Sequence, residues 1–120
     1  MGKTTQVLHE LAQRFSGEAF WALFNEDNLI CLSHASGEHS IETGLQTGRS
    51  LAFEDTRIPL ALRHRKKTCV TEDACDLTTV IVPVLNRRGH ELGHVGVSVE
   101  GRDAPLPVND IQRAVDTINA

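Results

Sequence analysis

The sequence predicts an α+β fold, an antiparallel sheet of about five to six strands with N- and C-terminal helices packed on one face. Three observations predict it. The chain opens and closes with segments whose apolar residues recur at helical spacing. Two hairpin signals stand between those segments. The second hairpin, TTVIVPVLNRRGHELGHVGVSVE over Thr78 to Glu100, returns in a strand with a period of two. The length of 120 residues suits one hydrophobic core, so residues 1–120 read as a single domain.

Val7, Leu8, Leu11, Ala12 and Phe15 form the apolar stripe of the first helix, and Gly17 is the expected stop. Gly2-Lys3-Thr4 has the tail of a phosphate-binding loop without its upstream glycine or strand, and reads as the start of that helix. Ala19 to Phe24 and Leu29 to Leu32 flank the polar turn Asn25-Glu26-Asp27-Asn28, giving a hairpin. Ser33 to Gly48, rich in Gly, Ser, Thr and His, reads as loop, with a short helix as the alternative within it. A strand is expected within Arg49 to Glu54, a short helix over Ile58 to Arg65 and a short strand over Lys67 to Thr71. Val80 to Leu85 reads as a buried strand, and Asn86-Arg87-Arg88-Gly89 as a tight turn. The closing helix follows two prolines; Asn109 and Gln112 stand at capping-box spacing, and Ile111, Ala114, Val115 and Ile118 give its stripe.

His90-Glu91-Leu92-Gly93-His94 spells the zinc-protease motif HExxH. That chemistry needs a helix, where two residues four apart sit ~5–6 Å from each other on one face. On a strand they stand ~13 Å apart, at ~3.3 Å per residue, beyond the reach of one zinc ion with ligands at ~2 Å. Gly93, Gly96 and three valines favour the strand, and no third ligand follows in a suitable context. No metal or other cofactor is therefore expected.

The net charge of −4 gives no global reason to expect nucleic acid as a partner. No apolar run approaches the ~20 residues that cross a bilayer, and the N-terminal segment lacks the apolar stretch of a secretion signal. Three cysteines, an odd number, do not suggest a disulfide framework; a reducing cytoplasm is the simplest expectation.

The order of elements, the phrase Val80-Ile81-Val82-Pro83-Val84 with Gly89, Leu92-Gly93 and Val95-Gly96-Val97, and Arg63 to Glu72 leading through Thr68-Cys69-Val70-Thr71 resemble a GAF domain. Related effector domains of bacterial regulators share these features. The resemblance implies a sandwich of six antiparallel strands, terminal helices on one face, and middle loops that cover the other face to enclose a small-molecule site. It also implies a homodimer through the terminal helices. The middle, Ser33 to Asp76, is shorter than the family pattern.

Alternation assigns the faces. Val95, Val97 and Val99 share the side expected under the helices, whereas Leu92, His94, Gly96 and Ser98 share the other with His90. His94, Ser98, Gly96 and Leu92 are the candidate ligand-binding residues, since Gly96 and Ser98 leave room and His94 can donate or accept a hydrogen bond. The alternative is ordinary packing of small residues under a collapsed loop.

Ala74-Cys75-Asp76 before an Ile-Val-Pro strand resembles the catalytic segment of free methionine-R-sulfoxide reductases, built on the same fold. That resemblance implies Cys75 as attacking thiolate and Cys69 as a resolving thiol. The family's earlier Gly-x-Cys-Gly stretch is missing, and the neighbouring carboxylates raise a thiol pKa. The plainer reading is two unreactive thiols. Arg63-His64-Arg65-Lys66-Lys67 could meet phosphate, a nucleotide or an acidic partner, but also suits a solvated helix end. Glu38 and His39 with His34 give a polar loop that could hold a metal, but no cysteine stands close in sequence and histidines so scattered suit a surface; Trp21 reads as core packing rather than a stacking platform. The sequence favours a non-catalytic, cytoplasmic, small-molecule-binding regulatory domain. The alternatives are a Cys75-dependent reductase and an interaction module without a pocket.

Overall fold

In the computed structural model, residues 2–25, 27–37, 43–58, 77–101 and 105–119 are described. Their order is helix α1 (Lys3–Phe15), strands β1 (Glu18–Phe24), β2 (Asn28–Ser36) and β3 (Ser50–Ala52), a single 3-10 turn (Phe53–Asp55), strands β4 (Leu77–Leu85) and β5 (Glu91–Glu100), and helix α2 (Val108–Asp116), which runs into a last 3-10 turn (Thr117–Asn119). The strands form one antiparallel sheet in the order β3-β2-β1-β5-β4. The described residues thus hold the predicted α+β sheet with five strands. The helix expected over Ile58 to Arg65 and the strand over Lys67 to Thr71 lie outside them, except for Ile58 itself.

Both helices lie on one face, as their stripes predict. Val7, Leu8, Leu11 and Ala12 of α1, and Ile111 and Val115 of α2, bury against Ala19, Val80, Val82, Val84, Val95, Val97 and Val99. Burying each leucine or isoleucine there contributes roughly 1.5–3 kcal/mol. The helix ends differ in detail from the sequence signals. Helix α1 stops at Phe15 because Ser16 turns left-handed (φ 52°), one residue before the expected glycine. Helix α2 begins at Val108 after Pro107, so Asn109 falls inside it and no capping box forms. Gln112 instead donates to the Pro83 carbonyl at 3.3 Å and to Asp116 Oδ1 at 3.0 Å.

Strand β2 runs to Ser36, past the expected end at Leu32, because Ser33 to Ser36 pair with Trp21 to Glu18. The β4–β5 turn is held by Asn86, whose Oδ1 accepts the amides of Arg88 and His90 at 2.9 Å each. Residues 91–100 are strand, so the helix that a zinc-protease motif requires is absent, and His90 sits in the turn. Among the described residues no helix is long and apolar enough to cross a membrane.

Candidate functional site

The sheet face opposite the helices is built by three adjacent strands whose register is continuous. Ser98 of β5 stands between Glu18 of β1 and Thr79 of β4; Gly96 stands between Phe20 and Ile81; His94 stands between Ala22 and Pro83. Three rows result, of which the first is polar, the second aromatic and aliphatic, and the third centred on an imidazole. Alternation puts these residues on one side because each strand is unbroken from row to row.

The polar row is sealed from solvent. Ser98 and Thr79 are fully buried, and their hydroxyls share a hydrogen bond of 2.7 Å. Glu18 is 4% exposed, and its Oε1 accepts the Thr43 hydroxyl at 2.6 Å. Thr43 in turn accepts the Leu45 amide at 3.4 Å, which pins the segment after β2 over this end of the sheet. A carboxylate at such depth requires hydrogen-bond donors, and a short bond to a hydroxyl is of the charge-assisted type.

In the middle row, Phe20 packs with Ala22, Leu29, Cys31, Leu45, Phe53, Ile58 and Ile81 in a second core cluster. Gly96 lies beneath the Phe20 ring, and a β-carbon added there would meet that ring. The room expected at Gly96 is therefore occupied by Phe20. Cys31 donates to the Ser33 carbonyl at 3.4 Å. Burial pushes its thiol from 9.0 to about 11, with the charge of Glu18 adding to the rise.

His94 is 1% exposed; its ring lies 5.6 Å from that of Phe24, and its Nδ1 stands 3.5 Å from Glu91 Oε1. Phe24 in turn stands 5.6 Å from Phe53. The structure thus sets His94, Gly96 and Ser98 in line on the expected side of β5. Leu92 is separated from them. Pro83 pairs with His94, but Leu85 pairs with Glu91, so β5 carries one extra residue opposite Val84. Gly93 takes φ +105° in this bulge, a conformation that side chains disfavour, and Leu92 is 38% exposed. Its carbonyl accepts the Trp21 indole N–H at 2.8 Å. Trp21 itself packs partly against the helix-side core, as a packing residue should.

Among the remaining candidates, His34 pairs with Thr47 through Nδ1 and Oγ1 at 2.6 Å. Glu38, His39, Arg63 to Lys67, Cys69 and Cys75 lie outside the described residues. Sequence reasoning missed Glu18, Phe20, Thr43 and Thr79. Glu18 had a signal, a charge in phase with Phe20 and Ala22 in an otherwise apolar strand. On the other side of the molecule, Arg14, Asp110, Arg113, Ala114 and Thr117 line an open groove of about 350 Å³ between the terminal helices.

No family model matches the sequence, and a comparison with curated protein sequences gives no match. Solved structures do resemble it. A regulator of the IclR type from Silicibacter aligns over 97% of this chain at 16% identity and a TM-score of 0.57, and the chain covers 60% of that protein. The IclR protein of Thermotoga maritima aligns over 98% at 13% identity and a TM-score of 0.59, with 62% of it covered. The inducer-binding domain of the PobR transcription factor from Acinetobacter, a double mutant in complex with 3-hydroxybenzoic acid, aligns over 98% at 11% identity and a TM-score of 0.61, with 95% of that domain covered. At this identity the chain shares the fold of these regulator structures.

Proposed function

We propose that the chain is a small-molecule-binding regulatory domain of the kind found in IclR-type transcriptional regulators, and that its ligand sits on the sheet face opposite the helices. The observation that carries this reading is the alignment over 95% of an inducer-binding domain described with 3-hydroxybenzoic acid. The inner face supports it, because it combines apolar walls with a few buried polar groups, the usual make-up of a ligand site. His94 and Ser98 are the assigned polar contacts, and Gly96 sets the depth of Phe20 between them. Leu92 borders this site from beyond the bulge. The domain is cytoplasmic and non-catalytic in this reading, and signals by a change in its dimer or in a partner. A homodimer through α1 and α2 belongs to the same proposal. Cys75 and Cys69 lie outside the described residues, and nothing in the comparisons favours the thiol-reductase alternative.

The test is thermal unfolding of the purified chain against a panel of small aromatic and aliphatic metabolite-like compounds. A ligand at 100 times its Kd raises stability by about 2.7 kcal/mol. Ser98→Ala and His94→Gln are expected to lose that rise while remaining folded by circular dichroism. If every compound leaves the unfolding temperature unmoved, or if hits bind both variants unchanged, the reading fails. Sedimentation velocity decides the homodimer separately.

A further inference from the structure

We infer that one end of the sheet is a contact surface for a second copy of this chain, paired about a two-fold axis normal to the sheet. The contact uses strand ends rather than the outer helix faces, and it does not rest on the ligand reading above. The C-terminal ends of β1, β3 and β4 meet the N-terminal ends of β2 and β5 there, since Phe24 pairs with Leu29, Asn28 with Ala52, Ala22 with His94 and Leu85 with Glu91. Leu23, Leu85 and Leu92 are the exposed large apolar residues among those described, and all three stand at this end. Leu23 lies against the residue next to Leu92: a β-carbon on Gly93 would stand 3.0 Å from Leu23 Cδ2. Exposed apolar side chains scattered singly mean little, but a group gathered in one place marks a contact.

Charge selects the occupant and the axis. The strand order places the 3-10 turn Phe53–Asp55 at one edge of this end and the β4–β5 turn at the other. The Phe53 amide donates to the Asp27 carbonyl at 3.1 Å, which fixes the 3-10 turn beside the β1–β2 turn. Glu54 and Asp55 are exposed on the first side and Arg87 and Arg88 on the second, and none of the four forms an ion pair among the described residues. Glu91, next to the basic turn, has its carboxylate 3.5 Å from the His94 ring. The end therefore runs from acidic through apolar to basic. A half-turn about the sheet normal sets the acidic edge of one copy on the basic edge of the other and leucines on leucines, the self-complementarity that a two-fold contact requires. A half-turn about the direction across the strands would set acid on acid. Five strands at ~4.8 Å span only ~20 Å, so the contact belongs with weak, reversible complexes that bury less than ~1,200 Å².

The experiment is sedimentation velocity of the purified chain over a concentration series at low and high salt. Self-association is expected to rise with concentration and to weaken at high salt. Arg87→Glu with Arg88→Glu, and separately Glu54→Lys with Asp55→Lys, should each weaken it at least about tenfold through like-charge repulsion. An equimolar mixture of the two charge-reversed chains should associate again, because each edge then meets its opposite. Leu23→Ser with Leu92→Ser should weaken association at every salt concentration, with circular dichroism confirming the fold. A dimer through α1 and α2 would survive all these changes, so it is read separately from this contact. Association that no variant alters, or loss in both charge-reversed chains without recovery in their mixture, would overturn the assignment. So would a sedimentation coefficient that does not rise with concentration.

Discussion

The ring of Phe20 occupies the space that Gly96 leaves: a β-carbon on Gly96 would run into Phe20 Cζ and stand 2.6 Å from Cε2 and 2.7 Å from Cε1. The two residues are also cross-strand partners between β1 and β5, so neither backbone can retreat without breaking the ladder.

Gly96→Ala is therefore expected to destabilise the fold by ~1–3 kcal/mol, the usual range for overpacking a dense core. Phe20→Leu in the same chain should recover part of the loss. Urea unfolding of both single variants and the double variant gives the coupling. Strict additivity would show that the ring and the glycine do not compete for one volume.

Thr43 joins an irregular segment to the sheet through a buried carboxylate. Thr43→Val removes the donor and keeps the shape, so Glu18 loses a partner at depth. The expected loss is ~1.5–3 kcal/mol, as for hydrogen bonds to charged groups. A change below ~0.5 kcal/mol in the urea midpoint, the scale of an ordinary surface substitution, would mean that Glu18 is satisfied without it.

The thiol of Cys31 gives a pH prediction with a definite sign. Its folded pKa of about 11 exceeds the ordinary 9.0. Below pH 9 both folded and unfolded states hold the proton, so stability does not respond to this group. Between pH 9 and about 11 the unfolded chain gives up the proton first, and stability falls as pH rises. Cys31→Ala should flatten this alkaline part of the profile. In native protein near neutral pH, Cys31 should also resist thiol reagents until the chain unfolds.

Asp110 offers the opposite case. It accepts from Arg14 at 3.1 Å and from Arg113 at 3.4 Å, but 38% of its side chain is exposed. Asp110→Ala is expected to cost less than ~1 kcal/mol, and less still at high salt. A larger loss in thermal unfolding would assign the ion pairs a clamping role between the helices.

Much of the helix-side core was readable before any coordinates. Val95, Val97 and Val99 alternate in an unbroken strand, and the stripes of α1 and α2 are the complementary surface. Alternation misled at Leu92 because a bulge changes the parity of a strand, and its trace in the sequence is a single glycine. The length of β2 was hidden for another reason: Ser33, His34 and Ser36 have no strand signature of their own, and pairing with β1 imposes it. Glu18 was visible by its phase with Phe20, but its partner Thr43 lies 25 residues away, and no local pattern announces such a bond.

Lys3 Nζ reaches the Thr117 carbonyl at 3.3 Å, which brings the first turn of α1 beside the last turn of the described chain. A short glycine-serine bridge should therefore join the two ends without disturbing either helix. With new termini opened in the exposed turn at Arg87-Arg88, such a circular permutant is expected to keep the same topology, because these ends are surface residues rather than parts of the core. In that rearranged polypeptide β5 would precede α1 through α2, and the central pairing of β1 with β5 would become closer in sequence. Opening that turn also sends β4 and β5, paired from Leu77–Glu100 to Leu85–Glu91, to opposite ends of the polypeptide, so the permutant is expected to fold more slowly than the original connectivity.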